Sequence, residues 1–210
     1  MTGLPNALTI LRIVLVPVFA VAFVLPGEAA RIVAFLVFVT ASVSDWLDGF
    51  AARKLKAGSD FGRMLDPIAD KVLIAVALMM LVAEGTFSEY KPNGMLSLLK
   101  LVPAIIILSR EILVSGLREF LAGTRVSVPV TMLAKFKTAV QMVAIGAMLL
   151  LPLADRVAPG LPSTTYMAAA YVLLWVAAAL TVYTGVIYFR GGMRYIRPGP
   201  TPAPSTPAPE

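Results

Sequence analysis

Asp45-Trp46-Leu47-Asp48-Gly49-Phe50-Ala51-Ala52-Arg53 and, after residues 54–61, Gly62-Arg63-Met64-Leu65-Asp66-Pro67-Ile68-Ala69-Asp70 decide how this chain folds. Each block lies at the loop-side end of an apolar run, residues 30–52 for the first and residues 62–83 for the second. As helices rising ~1.5 Å per residue, such runs cross ~30 Å of hydrocarbon. An unpaired carboxylate in or beside that layer is costly, so these four acids require compensation.

Helical spacing shows what form the compensation takes. Residues three, four and seven apart share a face, which puts Asp45, Asp48, Gly49 and Ala52 on one stripe. Gly62, Asp66 and Asp70 repeat the arrangement at four-residue intervals on the next run. The intervening linker makes the two runs an antiparallel hairpin in which both acid pairs reach similar depth. Carboxylate oxygens without imidazole or thiolate favour hard divalent ions, Mg²⁺ or Mn²⁺, and four carboxylates suffice for two ions. Paired metals suit phosphoryl transfer, in which they clamp the attacking and leaving oxygens. Gly49 and Ala52 leave space for a bulky group, and Arg53 suits a phosphate.

Composition narrows the alternatives. Of 210 residues, 59% are hydrophobic and mean hydropathy is +0.85, as in a polytopic membrane protein, which leaves little sequence for a soluble domain. The chain has no cysteine and no histidine. Disulfides and thiol nucleophiles are therefore excluded, and acid-base or metal chemistry rests on Asp, Glu, Lys, Arg, Tyr and hydroxyl groups.

The remaining apolar runs, residues 13–25, 96–121, 130–151 and 164–189, complete six transmembrane helices in an all-α fold. Asn6 or Thr9 caps a short interfacial helix that leads into the first span. A signal peptide is disfavoured because no Lys or Arg precedes Arg12. Residues 1–197 read as a single membrane domain, and residues 198–210 as a disordered Pro-rich tail with polyproline II character. Six spans put both termini, the 53–63 linker and the loop near 122–130 on one side. Of 18 Lys and Arg residues, only Arg31, Lys91, Lys100 and Arg156 fall on the other side, so the acid-bearing side is cytoplasmic.

The pattern Asp45-x₂-Asp48-Gly49-x₂-Ala52-Arg53-x₈-Gly62-x₃-Asp66-x₃-Asp70 resembles the signature of the CDP-alcohol phosphatidyltransferases at every fixed position. The resemblance implies six membrane helices, a homodimer, and transfer of a phosphatidyl group from CDP-diacylglycerol to an alcohol with release of CMP. It assigns Asp45, Asp48, Asp66 and Asp70 to the metal site, with Asp70 also the base, and sets Gly49, Ala52, Arg53 and Gly62 around the CDP group. Pro5-Asn6-x₂-Thr9-x₂-Arg12 and Ser109-Arg110-Glu111-x₄-Gly116-Leu117-Arg118-Glu119-Phe120, followed by Lys135-x-Lys137, look like the phosphatidylglycerophosphate synthase branch. Its acceptor is glycerol 3-phosphate, and Asn6 and Thr9 join the CDP-binding set. The expected setting is the inner membrane with the active site facing the cytoplasm; no nucleic-acid partner is implied.

The residues outside the signature leave alternatives. Arg110, Arg118, Lys135 and Lys137 fit an anionic acceptor, but also fit helix-end anchors or pairs with Glu111 and Glu119. Inositol phosphate, serine or phosphatidylglycerol as acceptor would leave the signature unchanged. Outside the family, an intramembrane prenyltransferase also uses paired aspartates, and a cation transporter also buries carboxylates. The transporter requires polar residues through the whole membrane, whereas these acids stop near one face.

Overall fold

A computed structural model describes residues 3–55, 60–87, 94–123 and 132–196; side chains at 3–8, 45–55, 60–67, 70, 94–98 and 194–196 lie outside the description. Among the described residues there are six long helices and no strand: α1 (Gly3–Val24), α2 (Glu28–Leu55), α3 (Asp60–Ala83), α4 (Gly94–Gly123), α5 (Met132–Leu149) and α7 (Ser163–Ile196). A 3-10 turn, Leu151–Leu153, and the four-residue α6 (Ala154–Val157) fill the connection before α7. The 54–61 linker and the Pro-rich tail fall largely outside the described residues, which include neither 56–59 nor 197–210.

The helices occupy the positions that the apolar runs indicate, with two differences in extent. The N-terminal segment and the first run form one continuous helix, α1, with Pro17 inside it. The last helix passes residue 189 and continues through Gly191 and Gly192 to Ile196. Packing overrides the poor helix propensity of glycine there. A Cβ on Gly192 would lie 3.0 Å from Leu121 and 3.2 Å from Leu117, so the bare backbone lets α7 lie close against α4.

α1 packs on α2 and α3, while α4 and α5 pack on α7; α3 against α4 and α2 against α5 join the two groups. The shared core contains Phe19 and Phe38, whose ring centroids are 6.1 Å apart, with Leu73, Ile74, Ile107, Ile145, Met148 and Leu174. Gly146 lets α5 approach α2, where its Cβ would stand 3.3 Å from the Phe35 ring. Large apolar side chains also cover the outside of every long helix: Val24 on α1, Leu36 on α2, Met79 on α3, Leu113 on α4, Val143 on α5 and Val172 on α7 are exposed. Apolar surface on that scale suits a lipid solvent and not water. α5 over Met132–Leu149 and α7 over Ser163–Met193 are long and apolar enough to cross a membrane.

One end of the bundle is closed by ion pairs. α3 stops at a left-handed Gly85, φ 85°, with Gly85 N–H donating to Val82 C=O at 3.0 Å and Thr86 N–H to Leu81 C=O at 3.1 Å. Glu84 on this cap pairs with Arg31 of α2, whose guanidinium lies 4.1 Å from the centroid of the Phe23 ring. The Tyr171 hydroxyl of α7 donates to the Thr86 carbonyl, and Arg156 of α6 pairs with Glu28 at 2.7 Å. Three of the four cations assigned to the non-cytoplasmic side thus meet at one end, because Lys100 lies over the Tyr171 ring at 5.4 Å. The acid-bearing ends of α2 and α3 lie at the other.

Candidate active site

The hairpin is described at the level of its backbone. Asp45, Asp48, Gly49, Ala52 and Arg53 lie on α2, and Gly62, Asp66 and Asp70 on α3. Their side chains are outside the described residues, as is that of Asn6 on α1. Helical backbone at all these positions puts Asp45 and Asp48 about 4.5 Å apart along the α2 axis, and Asp66 and Asp70 about 6 Å apart along α3. The two helices are in contact. The donor chemistry, carboxylates in a chain without histidine or cysteine, fits a hard divalent cation. Among the described side chains no three such acids come together.

α1 brings two polar groups to the same end. Thr9 is 2% exposed and Arg12 0%, one turn apart on the face that α1 turns toward α2 and α3. Arg12 is not among the residues that the sequence pattern placed at the site. A guanidinium on the edge of an apolar run is costly unless it is paired or reaches a polar end, which marked it in the sequence.

The basic residues separate into three situations. Arg110 on α4 and Lys137 on α5 converge on one carboxylate, Glu111. Arg110 Nη1 lies 3.1 Å from Glu111 Oε1, and Lys137 Nζ donates to the same oxygen. Glu111 is 8% exposed and Lys137 3%. Arg110 Nη2 also donates to Thr184 Oγ1 of α7 at 3.0 Å, and Thr184 donates in turn to the Leu180 carbonyl at 2.8 Å. Arg118, two turns further along α4, lies over the Tyr188 ring with 5.6 Å to the centroid. Lys135 is exposed.

Glycine makes the first group possible. A Cβ on Gly185 would stand 3.0 Å from Arg110 Cγ and 3.3 Å from its Nε, so the arginine stem crosses α7 where α7 has no side chain. Among the described residues two cations meet one anion in this buried cluster, a balance that suits an anionic group. Glu111 and Thr184 belong to this cluster, Thr181 and Gln141 lie deeper beside it, and none of the four was in the expected site. Polar residues inside apolar helices were the signal for the last three.

With the hairpin and the cluster in place, comparison with known proteins identifies the class. A profile of the CDP-alcohol phosphatidyltransferases matches residues 2–193. The chain belongs to that family. It is 42% identical over 193 residues to a Rickettsia felis protein, covering 92% of this chain and 97% of that one. It is 39% identical over 191 residues to a Haemophilus influenzae protein, covering 90% and 92%. A Salmonella paratyphi A protein matches at 38% over 188 residues, 89% and 92%. All three are named CDP-diacylglycerol–glycerol-3-phosphate 3-phosphatidyltransferase. Membership of a lipid-synthesising family and the two membrane-length apolar helices together mark a membrane protein.

Proposed function

We propose that this protein transfers the phosphatidyl group of CDP-diacylglycerol to sn-glycerol 3-phosphate, forming phosphatidylglycerophosphate and CMP. The observation that carries the reading is likeness along nearly the whole chain to relatives of that name. The buried Arg110–Glu111–Lys137 cluster supports it, because two guanidinium or ammonium groups around one carboxylate suit a phosphate-bearing acceptor better than serine or choline.

Asp45, Asp48, Asp66 and Asp70 are proposed to hold Mg²⁺ or Mn²⁺, with room in the donor set for two ions. Such ions supply neutralisation of the charge that develops on the CMP phosphate. Asp70 accepts the proton of the acceptor hydroxyl, whose oxygen attacks the lipid-bearing phosphorus. The bond from that phosphorus to the bridging oxygen breaks, and CMP leaves with the bridging oxygen. Asn6, Thr9, Gly49, Ala52, Arg53 and Gly62 surround the CDP group. Arg110 and Lys137 hold the acceptor phosphate, with Arg118 and Lys135 nearer the cytoplasmic opening. The six long helices read as six spans of an inner-membrane protein whose active site faces the cytoplasm, in a homodimer, with residues 198–210 as a tail outside the single domain.

The test is CMP release by purified protein in detergent with CDP-diacylglycerol and Mg²⁺, one acceptor at a time. Release is expected with glycerol 3-phosphate. Release with inositol phosphate, serine or phosphatidylglycerol in its place overturns the acceptor assignment, and no release with any acceptor overturns the reaction.

A further inference from the structure

Gln141 has no role in what precedes, yet it is among the most completely buried polar residues described. It is 0% exposed, on α5, one turn deeper than Lys137. The Thr181 hydroxyl of α7 donates to Gln141 Oε1 at 3.5 Å, and Gln141 Nε2 has no hydrogen-bond partner among the described residues. Turning the amide over exchanges the two atoms and still leaves one of them unpartnered. A buried amide group without a partner is costly, so its retention inside an apolar helix calls for a ligand.

Its surroundings limit the ligand. Lys137 and Gln141 are four residues apart on α5, and Thr184 and Thr181 three apart on α7, so the two helices present matched polar layers. The upper layer, Arg110–Glu111–Lys137 with Thr184, is charged. The lower layer, Gln141 with Thr181, is neutral and lies about 6 Å along the α5 axis. Beyond it α5 turns to Ala144, Ile145 and Met148, all fully buried and apolar. A charged layer beside a neutral donor-acceptor layer suits a molecule with a phosphate at one position and an uncharged hydroxyl a few ångströms away.

We propose that Gln141, held by Thr181, hydrogen-bonds the non-reacting C2 hydroxyl of a polyol phosphate acceptor and so selects a hydroxylated acceptor over a plain alkyl phosphate. The assignment rests on the acceptor reading above and adds the group that reads the glycerol backbone. Gln141 is then a specificity-determining residue, distinct from those that hold phosphate.

The experiment compares glycerol 3-phosphate with 3-hydroxypropyl phosphate, which keeps the phosphate and the reacting hydroxyl and lacks the C2 hydroxyl. Both are assayed by CMP release from wild-type protein, Gln141→Leu and Gln141→Met. Wild type is expected to prefer glycerol 3-phosphate by about five- to tenfold in kcat/KM, the range for one neutral hydrogen bond. Each variant should lose that preference, mainly through KM for glycerol 3-phosphate, with KM for CDP-diacylglycerol unchanged. A merely structural glutamine would lower both acceptors equally and leave the preference intact, which overturns the proposal. Wild type that uses both acceptors equally well overturns it without any variant, so it stays testable even where the substituted proteins do not fold. No CMP with glycerol 3-phosphate, but release with another acceptor, overturns this proposal and the acceptor reading together. Release with glycerol 3-phosphate and no C2 preference overturns this one alone.

Discussion

The acid hairpin and the basic cluster are built on opposite principles. The hairpin draws its aspartates from two consecutive helices, α2 and α3, between residues 45 and 70. The pattern is complete in a local stretch of sequence, two helices and one short linker. The cluster draws Arg110 and Glu111 from α4, Lys137 from α5 and Thr184 from α7, with Arg110 and Thr184 separated by 74 positions in sequence. Only tertiary packing brings these groups together. On the proposed roles, the chemistry common to a family of enzymes is written locally, while the choice of acceptor depends on how three distant helices pack.

The largest expected effect tests the local half. Asp70→Asn keeps the size of the side chain and removes its ability to take a proton at neutral pH. If Asp70 is the base, turnover should fall by about 10³-fold or more, at the upper range for general-base catalysis. Chromatographic behaviour and thermal stability in detergent should match wild type, because the substitution is isosteric. Turnover within tenfold of wild type would remove the base assignment.

Next in size is the distant half. Lys137→Met keeps the aliphatic stem and removes the ammonium, leaving Arg110 as the one cation on Glu111 among the described residues. Charge-assisted hydrogen bonds contribute about 1.5–3 kcal/mol, so kcat/KM for glycerol 3-phosphate should fall roughly 10- to 150-fold. KM for CDP-diacylglycerol should hold. Lys135→Met serves as the contrast, since Lys135 is exposed and makes no contact with Glu111 among the described interactions. An equal loss in both variants would mean that diffuse positive charge, and not the buried cluster, attracts the acceptor.

The same contrast governs what could be read before the structure. The helical character of the six apolar runs and the grouping of Arg31, Lys100 and Arg156 at one end follow from periodicity and charge placement. The basic residues were legible as a set, but not as the three situations they occupy. Whether Arg118 lies over Tyr188 or beside Arg110 depends on the rotation of α7 against α4, which no local spacing encodes. The continuation of α7 through Gly191 and Gly192 was hidden for a related reason. Glycine signals a helix end by propensity, whereas here Gly192 is kept helical by the close approach of Leu117 and Leu121.

Gly185→Ala tests that rotation with a single methyl group. The added Cβ would stand 3.0 Å from Arg110 Cγ, in the middle of a stem tethered at its tip to Glu111 and Thr184. The arginine must shift or α7 must move away. Acceptor kcat/KM should fall about tenfold, since overpacking of this kind costs about 1–3 kcal/mol, while KM for CDP-diacylglycerol stays constant. Gly146→Ala on the α5–α2 contact meets Phe35 at 3.3 Å and should leave acceptor selectivity unchanged. Loss of selectivity there would indicate that the two halves are coupled more tightly than their separate construction suggests.

The smallest effect is expected where both halves are farthest away. Arg156 and Glu28 pair at 2.7 Å with side chains 69% and 53% exposed, between α6 and the start of α2. Exposed ion pairs contribute about 0–1 kcal/mol, because solvent screens the charges and ordering two long side chains costs entropy. Arg156→Ala should therefore leave the melting temperature nearly unchanged and kcat/KM within experimental error for every acceptor. Arg31 offers the informative counterpart at the same end. Its side chain is 11% exposed, paired with Glu84 and stacked on Phe23, so Arg31→Ala strands a carboxylate on the α3 cap and opens a gap beside the ring. Stability should fall by about 1–3 kcal/mol, again with acceptor selectivity intact. If Arg31→Ala altered the ratio of glycerol 3-phosphate to 3-hydroxypropyl phosphate use, the ion-paired end would be shaping the acceptor pocket through the bundle, and acceptor choice would no longer belong to α4, α5 and α7 alone.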